Sequence, residues 1–546
     1  MLKPLSHSPK YRGPIVTVVM DGVGITPKME GNAVAAANAP TLKRLFKDYP
    51  NLLLKAHGKA VGLPSDEDMG NSEVGHNAIG SGQIYEQGAS LVNQAIASGA
   101  IFQRDAWKEL ISQVRQGGTL HFLGLFSDGN VHSHIDHLKA MIRKAGQEGV
   151  KRIRVHVLLD GRDVGETSAL DYVLPFERFL DEMRSTGLDA AIASGGGRMK
   201  ITMDRYEADW SMVERGWRTH VLADAKPFAS AEEAIQTYRN ELKNVIDQDL
   251  PAFVVAKDGK PLGPIQDGDS IVFFNFRGDR AIEISRAFED EAFRHFDRVR
   301  RPKVCYAGML EYDGDLHIPS RYLVAPPEIR QTMSEYLVGS GLPQLAISET
   351  QKFGHVTYFW NGNKSGKFDE KLETYIEVPS DRVSFDERPW MKAAEITDAL
   401  IDELKTGRYA SARCNYANGD MVGHTGSFRA ATMAVEAVDL CLARLLPVID
   451  ALGGMAIITA DHGNADEMYE MDKKSGQPAR NKEGRIKAKT SHTLNPVPCI
   501  FYDNQHVDAY AIHPVDAGLA NIAATTVNLL GYEAPEIWQP SLIRFK

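Results

Sequence analysis

The chain has 546 residues, enough for two or three domains with ample buried core, and its 43% apolar and 25% charged content is that of an ordinary globular protein. Its net charge of −10, from 62 basic and 72 acidic side chains, is opposite to the balance of a protein that neutralises nucleic-acid phosphates, so no nucleic-acid partner is expected. Four scattered cysteines without a C-x-x-C pair argue against a disulfide framework or a thiolate metal site, and no apolar run approaches the roughly 18 residues of a membrane span. The opening segment MLKPLSHSPKYRGP lacks the apolar stretch of a signal peptide. A cytoplasmic enzyme with reduced thiols is expected, Cys441 and Cys499 being buried.

In chain order, the first predicted element is a strand over Ile15–Met20, closed by Asp21-Gly22. Next, Gly70-Asn71-Ser72-Glu73-Val74-Gly75-His76-Asn77 sets glycines on both sides of a serine, and Val74, Ala78 and Ile79 mark the start of a short helix. There Ser72 would face backbone N–H groups and a positive dipole end, which suits an anion; the position equally suits an ordinary N-cap serine. A strand over Ile153–Leu159 leads into Asp160-Gly161-Arg162-Asp163, and one over Ile271–Phe276 into Arg277-Gly278-Asp279-Arg280. The run Arg298–Lys303 reads as solvated surface. Asp420 and His424 have the spacing of one helix face, but Gly419 and Gly423 favour a loop. A helix follows Gly426, with Val435, Val438, Leu442, Leu445 and Ile449 in one stripe and Pro447 disturbing only its last turn. The strand Met455–Thr459 runs into Asp461-His462. Asp472–Thr490 reads as an exposed loop, and His492 precedes a strand over Val497–Tyr502.

Continuous rather than alternating apolarity predicts strands covered on both faces, hence largely parallel sheets in an α/β fold. Polar clusters stand at the carboxyl ends of these strands, where open parallel sheets bind ligands. Asp21, Asp420, Asp461, His424, His462 and His492 together form an oxygen-and-imidazole inventory. It suits one or two divalent ions such as Mn²⁺, Mg²⁺, Co²⁺ or Zn²⁺. Such an ion would convert a poor serine nucleophile into a competent one. Phosphoryl transfer then needs chiefly positioning and charge neutralisation.

Read together, Met20-Asp21-Gly22, the Gly70–His76 segment, Asn418-Gly419-Asp420-Met421-Val422-Gly423-His424 and Thr459-Ala460-Asp461-His462-Gly463-Asn464 resemble the alkaline phosphatase superfamily. Within it, the chain is similar to the cofactor-independent phosphoglycerate mutases from about Gly13 almost to its end. The resemblance implies an alkaline-phosphatase-like three-layer α/β/α domain, formed by residues 1–86 and 320–546. A second α/β domain, residues 87–319, is inserted for phosphotransfer and substrate binding. It implies that Asp420, His424 and His492 bind one metal while Asp21, Ser72, Asp461 and His462 bind the other. Mn²⁺ is the expected ion, with Co²⁺ or Mg²⁺ as alternatives, and no 2,3-bisphosphoglycerate is required. Phosphoglycerate would be held by His132, Arg162, Asp163, Arg198, Arg205, Arg277, Arg280 and Lys352. Guanidinium forks match its phosphate and carboxylate bidentately. The stretch from Arg198 to Arg205 is one residue longer than the bacterial form and Gly278 replaces a common proline, as in the plant and trypanosomatid branch.

The implied activity is the exchange of 3-phosphoglycerate and 2-phosphoglycerate through a phosphoserine on Ser72, with Asp163 and Lys352 as further catalytic groups. The enzyme is expected to be monomeric, with domain closure about residues 86 and 319 excluding water. The rival readings are a phosphohydrolase or sulfatase on the same core, a phosphopentomutase, and a metal- or anion-binding scaffold without catalysis.

Overall fold

The computed structural model describes residues 1–546 apart from 7, 10, 64, 87, 205–208, 315, 326, 328, 473, 474, 481–483 and 514. It divides into two compact units, Met1–Glu86 with Pro327–Lys546, and Gln87–Pro326.

In the first unit, six-residue apolar runs such as Ile15–Met20 and Ser411–Tyr416 are buried along their whole length. Only a strand covered on both faces tolerates that. They lie in a seven-stranded sheet. Its order is Glu373–Val378, Gln344–Glu349, Ser411–Tyr416, Ile15–Met20, Met455–Thr459, Val497–Tyr502, Asn51–Leu54. The first five are parallel. Val497–Tyr502 departs from the parallel expectation, pairing antiparallel with both Met455–Thr459 and Asn51–Leu54. Continuous apolarity reports covered faces and says nothing of strand direction. The helix after Gly426 spans Phe428–Ala451 and continues past Pro447. Its apolar stripe, including Val435, Leu442 and Ile449, joins the same core as the central strands.

The second unit holds an eight-stranded sheet. Cys305–Gly308, Ser270–Phe273, Leu120–Leu125, Arg152–Leu159 and Asp189–Gly197 are successive parallel neighbours. Period-two alternation splits its core in two. Phe122, Val155 and Val272 pack with Trp107, Met141 and Phe176 on one face. Leu123, Leu158 and Phe273 pack with Val213, Trp217 and Ile284 on the other. Helices therefore cover both faces.

The run 298–303 is largely exposed, as expected, but also makes structural contacts. Arg298 donates to the Ala287 and Asp290 carbonyls at 3.0 and 2.9 Å, and Arg301 Nε to the Phe288 carbonyl at 3.1 Å. The run 298–303 thus ties down the end of the helix Ile282–Glu289 rather than simply facing solvent. All four cysteines are free, with Cys414, Cys441 and Cys499 buried. Among the described residues no helix is long and apolar enough to cross a membrane.

Candidate active site

The helix Ser72–Ser81 begins at the serine, and its N-cap is Asn71, whose side chain accepts from Val74 N at 3.0 Å. Capping is thus done by the neighbour, and Ser72 Oγ turns inward, fully buried. Gly75 lets this helix approach so closely that a Cβ there would sit 2.9 Å from the Asp461 carbonyl oxygen. Gly22, at φ +73°, does the same for the turn after the first strand, against the Asp420 backbone. The stretch Asn418–Gly423 is a short helix, correcting the expected loop. Its glycines serve contact rather than breakage, Gly419 lying against the Asp21 carbonyl and Gly423 against Asn464. Asp420 and His424 therefore share a helix face.

These elements converge on Ser72 Oγ. It lies 3.2 Å from Asp21 Oδ1, 2.9 Å from His462 Nε2 and 2.6 Å from Lys352 Nζ. Lys352, wholly buried on the helix Thr350–Gly354, also reaches Asp420 Oδ2 at 2.8 Å and Asp21 Oδ1 at 3.5 Å. Asp420 Oδ1 lies 3.2 Å from His424 Nε2, 3.1 Å from His492 Nε2 and 3.8 Å from His462 Nε2. Asp461 Oδ2, fully buried, is 3.7 Å from His462 Nε2 and 3.3 Å from His76 Nδ1. Burial by itself would raise the Asp420 carboxyl, but Lys352, His424 and His462 hold it well below the usual carboxylate range. Burial opposes charge on His462, yet Asp461, Asp420 and Asp21 push its imidazole up to about 10.

The donor set fits divalent cations. Nδ1 of His424, His462 and His492 faces the carbonyl oxygens of Thr490, Gly463 and Gly70 at 2.7, 3.2 and 2.8 Å. A carbonyl only accepts, so each Nδ1 carries a proton and each Nε2 is the atom turned on the carboxylates. Without a metal His462 Nε2 is protonated as well, and a bound cation would take that proton's place, the polarity of metal-ligating histidines. His424 Nε2 and His492 Nε2 stand 3.0 Å apart, where two facing lone pairs need a proton or a metal cation between them. Asp420, His462 and His492 offer ligand atoms within 4.8 Å of one another, and so do Asp21, His76 and Asp461. Hydrogen-bond polarity removes His76 from the second group. Its Nδ1 faces the Ser72 carbonyl at 2.8 Å and Asp461 Oδ2 at 3.3 Å, both acceptors, and its Nε2 takes a proton from Asn415 Nδ2 at 3.1 Å. With Asn415 also donating to Asp21 Oδ2 at 2.6 Å, His76 and Asn415 brace the carboxylates instead.

In the second unit, His132, Asp160–Asp163, Arg198 and Arg277–Arg280 follow the carboxyl ends of four adjacent parallel strands. Arg198, only 1% exposed, donates to Asp160 Oδ1 at 2.9 Å and pairs with Asp163. Asp160 also accepts from Ser127 Oγ at 2.6 Å and from Asp163 N at 3.0 Å. Arg162 is exposed. Around Asp279 Oδ1 stand His132 Nδ1 at 3.5 Å and Arg277 Nε at 3.2 Å, while Arg280 Nη1 donates to the Met203 carbonyl at 2.5 Å. Arg205 lies outside the described residues. Asp160, Asp279, Asn464, Asn415 and His76 were not singled out from sequence, although all but Asn415 stand inside or beside the quoted motifs. Asn464 donates to Asp420 Oδ1 at 3.0 Å.

Residues 13–534 match the model of the Metalloenzyme superfamily. A Leptospira interrogans protein named "Probable 2,3-bisphosphoglycerate-independent phosphoglycerate mutase" is 56% identical, over 97% of each chain. A Trypanosoma brucei brucei protein named 2,3-bisphosphoglycerate-independent phosphoglycerate mutase is 53% identical, over 98% of each. The solved structure of Leishmania mexicana phosphoglycerate mutase at low cobalt concentration is 53% identical, covers 100% of both chains and superposes with a TM-score of 0.63.

Proposed function

This chain belongs to the 2,3-bisphosphoglycerate-independent phosphoglycerate mutases, metalloenzymes that interconvert 3-phosphoglycerate and 2-phosphoglycerate, and from that premise we propose that Ser72 carries the phosphoryl group between the two positions. The carrying observation is the burial of Ser72 Oγ between Asp21, His462 and Lys352. Asp420, His424 and His492 would hold one divalent ion, and Asp21, Asp461 and His462, with Ser72, the other. Mn²⁺ is the expected ion, with Co²⁺ or Mg²⁺ as alternatives; the relative solved with cobalt supports a site of that kind. Bound there, the ions supply Lewis acidity that favours the serine alkoxide and offsets phosphoryl charge.

The chain's own groups do the rest. Ser72 Oγ attacks phosphorus, the bond from phosphorus to the glycerate oxygen breaks, and glycerate stays bound. Lys352 keeps a positive charge 2.6 Å from Oγ, where negative charge develops. The discontinuous unit is thus the phosphatase-like, metal-binding domain and the inserted unit the substrate domain. In the latter His132, Arg162, Arg198, Arg205, Arg277 and Arg280 would hold the anion. Asp163, oriented by Arg198, would move the proton at the glycerate hydroxyls. The other hydroxyl then attacks phosphoserine and regenerates Ser72. Well-oriented neighbours reach effective molarities of about 10⁵–10⁸ M, enough to outrun hydrolysis. A cytoplasmic monomer is the form in which we expect this cycle.

An enolase-coupled assay with 3-phosphoglycerate, Mn²⁺ and no 2,3-bisphosphoglycerate tests the proposal. Formation of 2-phosphoglycerate well ahead of inorganic phosphate is expected. Release of phosphate ahead of 2-phosphoglycerate would make the protein a hydrolase.

A further inference from the structure

Three buried histidines of the inserted unit, away from its strand-end cluster, are joined by hydrogen bonds into a line across the sheet. Asp269 Oδ2 meets His121 Nε2 at 3.1 Å, and His121 Nδ1 meets His156 Nε2 at 2.9 Å. His156 Nδ1 meets Ser194 Oγ at 2.7 Å, Ser194 Oγ meets His220 Nδ1 at 2.7 Å, and His220 Nε2 meets Thr202 Oγ1 at 3.0 Å. All six residues are buried, none above 5% exposed. His121, His156 and Ser194 come from three adjacent parallel strands, and His220 ends the helix Trp210–His220.

One arrangement of protons satisfies every bond with all three imidazoles neutral. Thr202 donates to His220, His220 to Ser194, Ser194 to His156, His156 to His121, and His121 to the Asp269 carboxylate. Asp269 is itself fixed by Thr119 N at 2.7 Å and Gln266 N at 2.8 Å. The line is therefore polarised from one end to the other, and such chains strengthen their members.

Its free end is an unusual residue. Thr202 is β-branched yet holds φ +69°, a conformation such residues rarely adopt unless their surroundings impose it. Besides the His220 bond, Thr202 N donates to the Met212 carbonyl at 2.9 Å, and its hydroxyl lies where a Cβ on Gly216 would come within 2.1 Å. Thr202 sits between Arg198, whose guanidinium orients Asp163, and Met203, whose carbonyl receives Arg280.

We propose that Thr202 is a positioning residue for the mutase reaction: the Asp269–His121–His156–Ser194–His220 relay holds it in its left-handed conformation, and so sets Arg198 and the Met203 carbonyl for anion binding. This rests on the assignment of Arg198 and Arg280 to substrate binding. No proton moves along the line during turnover; it acts by orientation.

The test measures steady-state kinetics and thermal midpoints of Mn²⁺-loaded variants. Thr202→Val keeps the shape and removes the donor; Ser194→Ala cuts the relay in its middle without touching Thr202. Both are expected to raise KM for 3-phosphoglycerate about tenfold with kcat within about twofold, the pattern of lost binding, while Thr202→Ser stays near wild type. Ser194→Ala decides alone if Thr202→Val does not fold. Unchanged KM in Ser194→Ala, with only a lower thermal midpoint, would overturn the proposal. Arg198→Lys separates the two layers. If it raises KM while the relay variants do not, only the relay fails; if it too leaves KM unchanged, the assignment of Arg198 falls as well.

Discussion

A serine hydroxyl fully removed from water keeps its reactivity only if the groups around it stabilise the alkoxide more than the alcohol. Around Ser72 that balance is built from one lysine, the Nε2 atom of His462 and carboxylates that draw cations. Ser72→Ala is expected to lower mutase kcat by at least about 10³-fold, in line with nucleophile losses elsewhere, with the far-UV circular dichroism unchanged. Substantial residual turnover in a stopped coupled assay would remove Ser72 from the reaction path. Asp21, Asp461 and His462 were legible from sequence because each ends a buried apolar run, where polar residues stand out. Asn415 was not, since it is a mid-strand residue of Ser411–Tyr416 whose meaning appears only once that strand lies beside Ile15–Met20 and brings its amide to Asp21. His76 lay in full view within the Gly70–Asn77 motif; its role needed the polarity of its two nitrogens.

At the scale of elements, close approach replaces side chains. Gly75→Ala would push a Cβ to 2.9 Å from the Asp461 backbone and lift the helix Ser72–Ser81 off its support. A loss of at least about tenfold in kcat/KM is expected, since small misplacements of reacting groups are costly. Activity equal to wild type would show the approach is slack. The same physics hid the helix Asn418–Gly423: glycines that look like breakers in sequence are contact points in space. The histidine relay gives a pH signature. Burial lowers His220 to about 3 and holds His156 and His121 down as well, against the raising effect of Asp269 on His121 and with Arg154 adding to the lowering. Unfolded, each titrates near 6.5, so below that pH the unfolded chain binds more protons and stability falls as pH falls. In the metal-free protein His462, raised to about 10, contributes its full stabilisation below 6.5 and does not vary there. The unfolding free energy of the metal-free protein, measured by urea titration, should therefore drop between pH 6.5 and 5, by up to about 1.4 kcal/mol per pH unit for each histidine. A flat profile across that window would mean the relay is already charged in the folded state.

Across the whole molecule, one chain supplies two sheets of the same class, and the strand runs that announced them were read correctly as α/β. What those runs left open was direction, as Val497–Tyr502 illustrates, because burial on both faces is shared by parallel and central antiparallel strands. With the ligands proposed above, drawn from Asp21 near one end and His492 near the other, metal binding would be a long-range clasp on the first unit. Chelation should abolish activity and lower the thermal midpoint, and Mn²⁺ should restore both, because a ligand that binds only the folded state stabilises it. A midpoint indifferent to chelation would mean the clasp carries no load.

The phosphoenzyme itself offers the most direct measurement. Metal-loaded protein mixed with 3-phosphoglycerate carrying labelled phosphate, quenched in acid within one turnover and mapped by mass spectrometry, should yield label on the peptide containing Ser72. Label on another residue, or an unlabelled protein that still converts 3-phosphoglycerate to 2-phosphoglycerate, would contradict a serine-borne transfer.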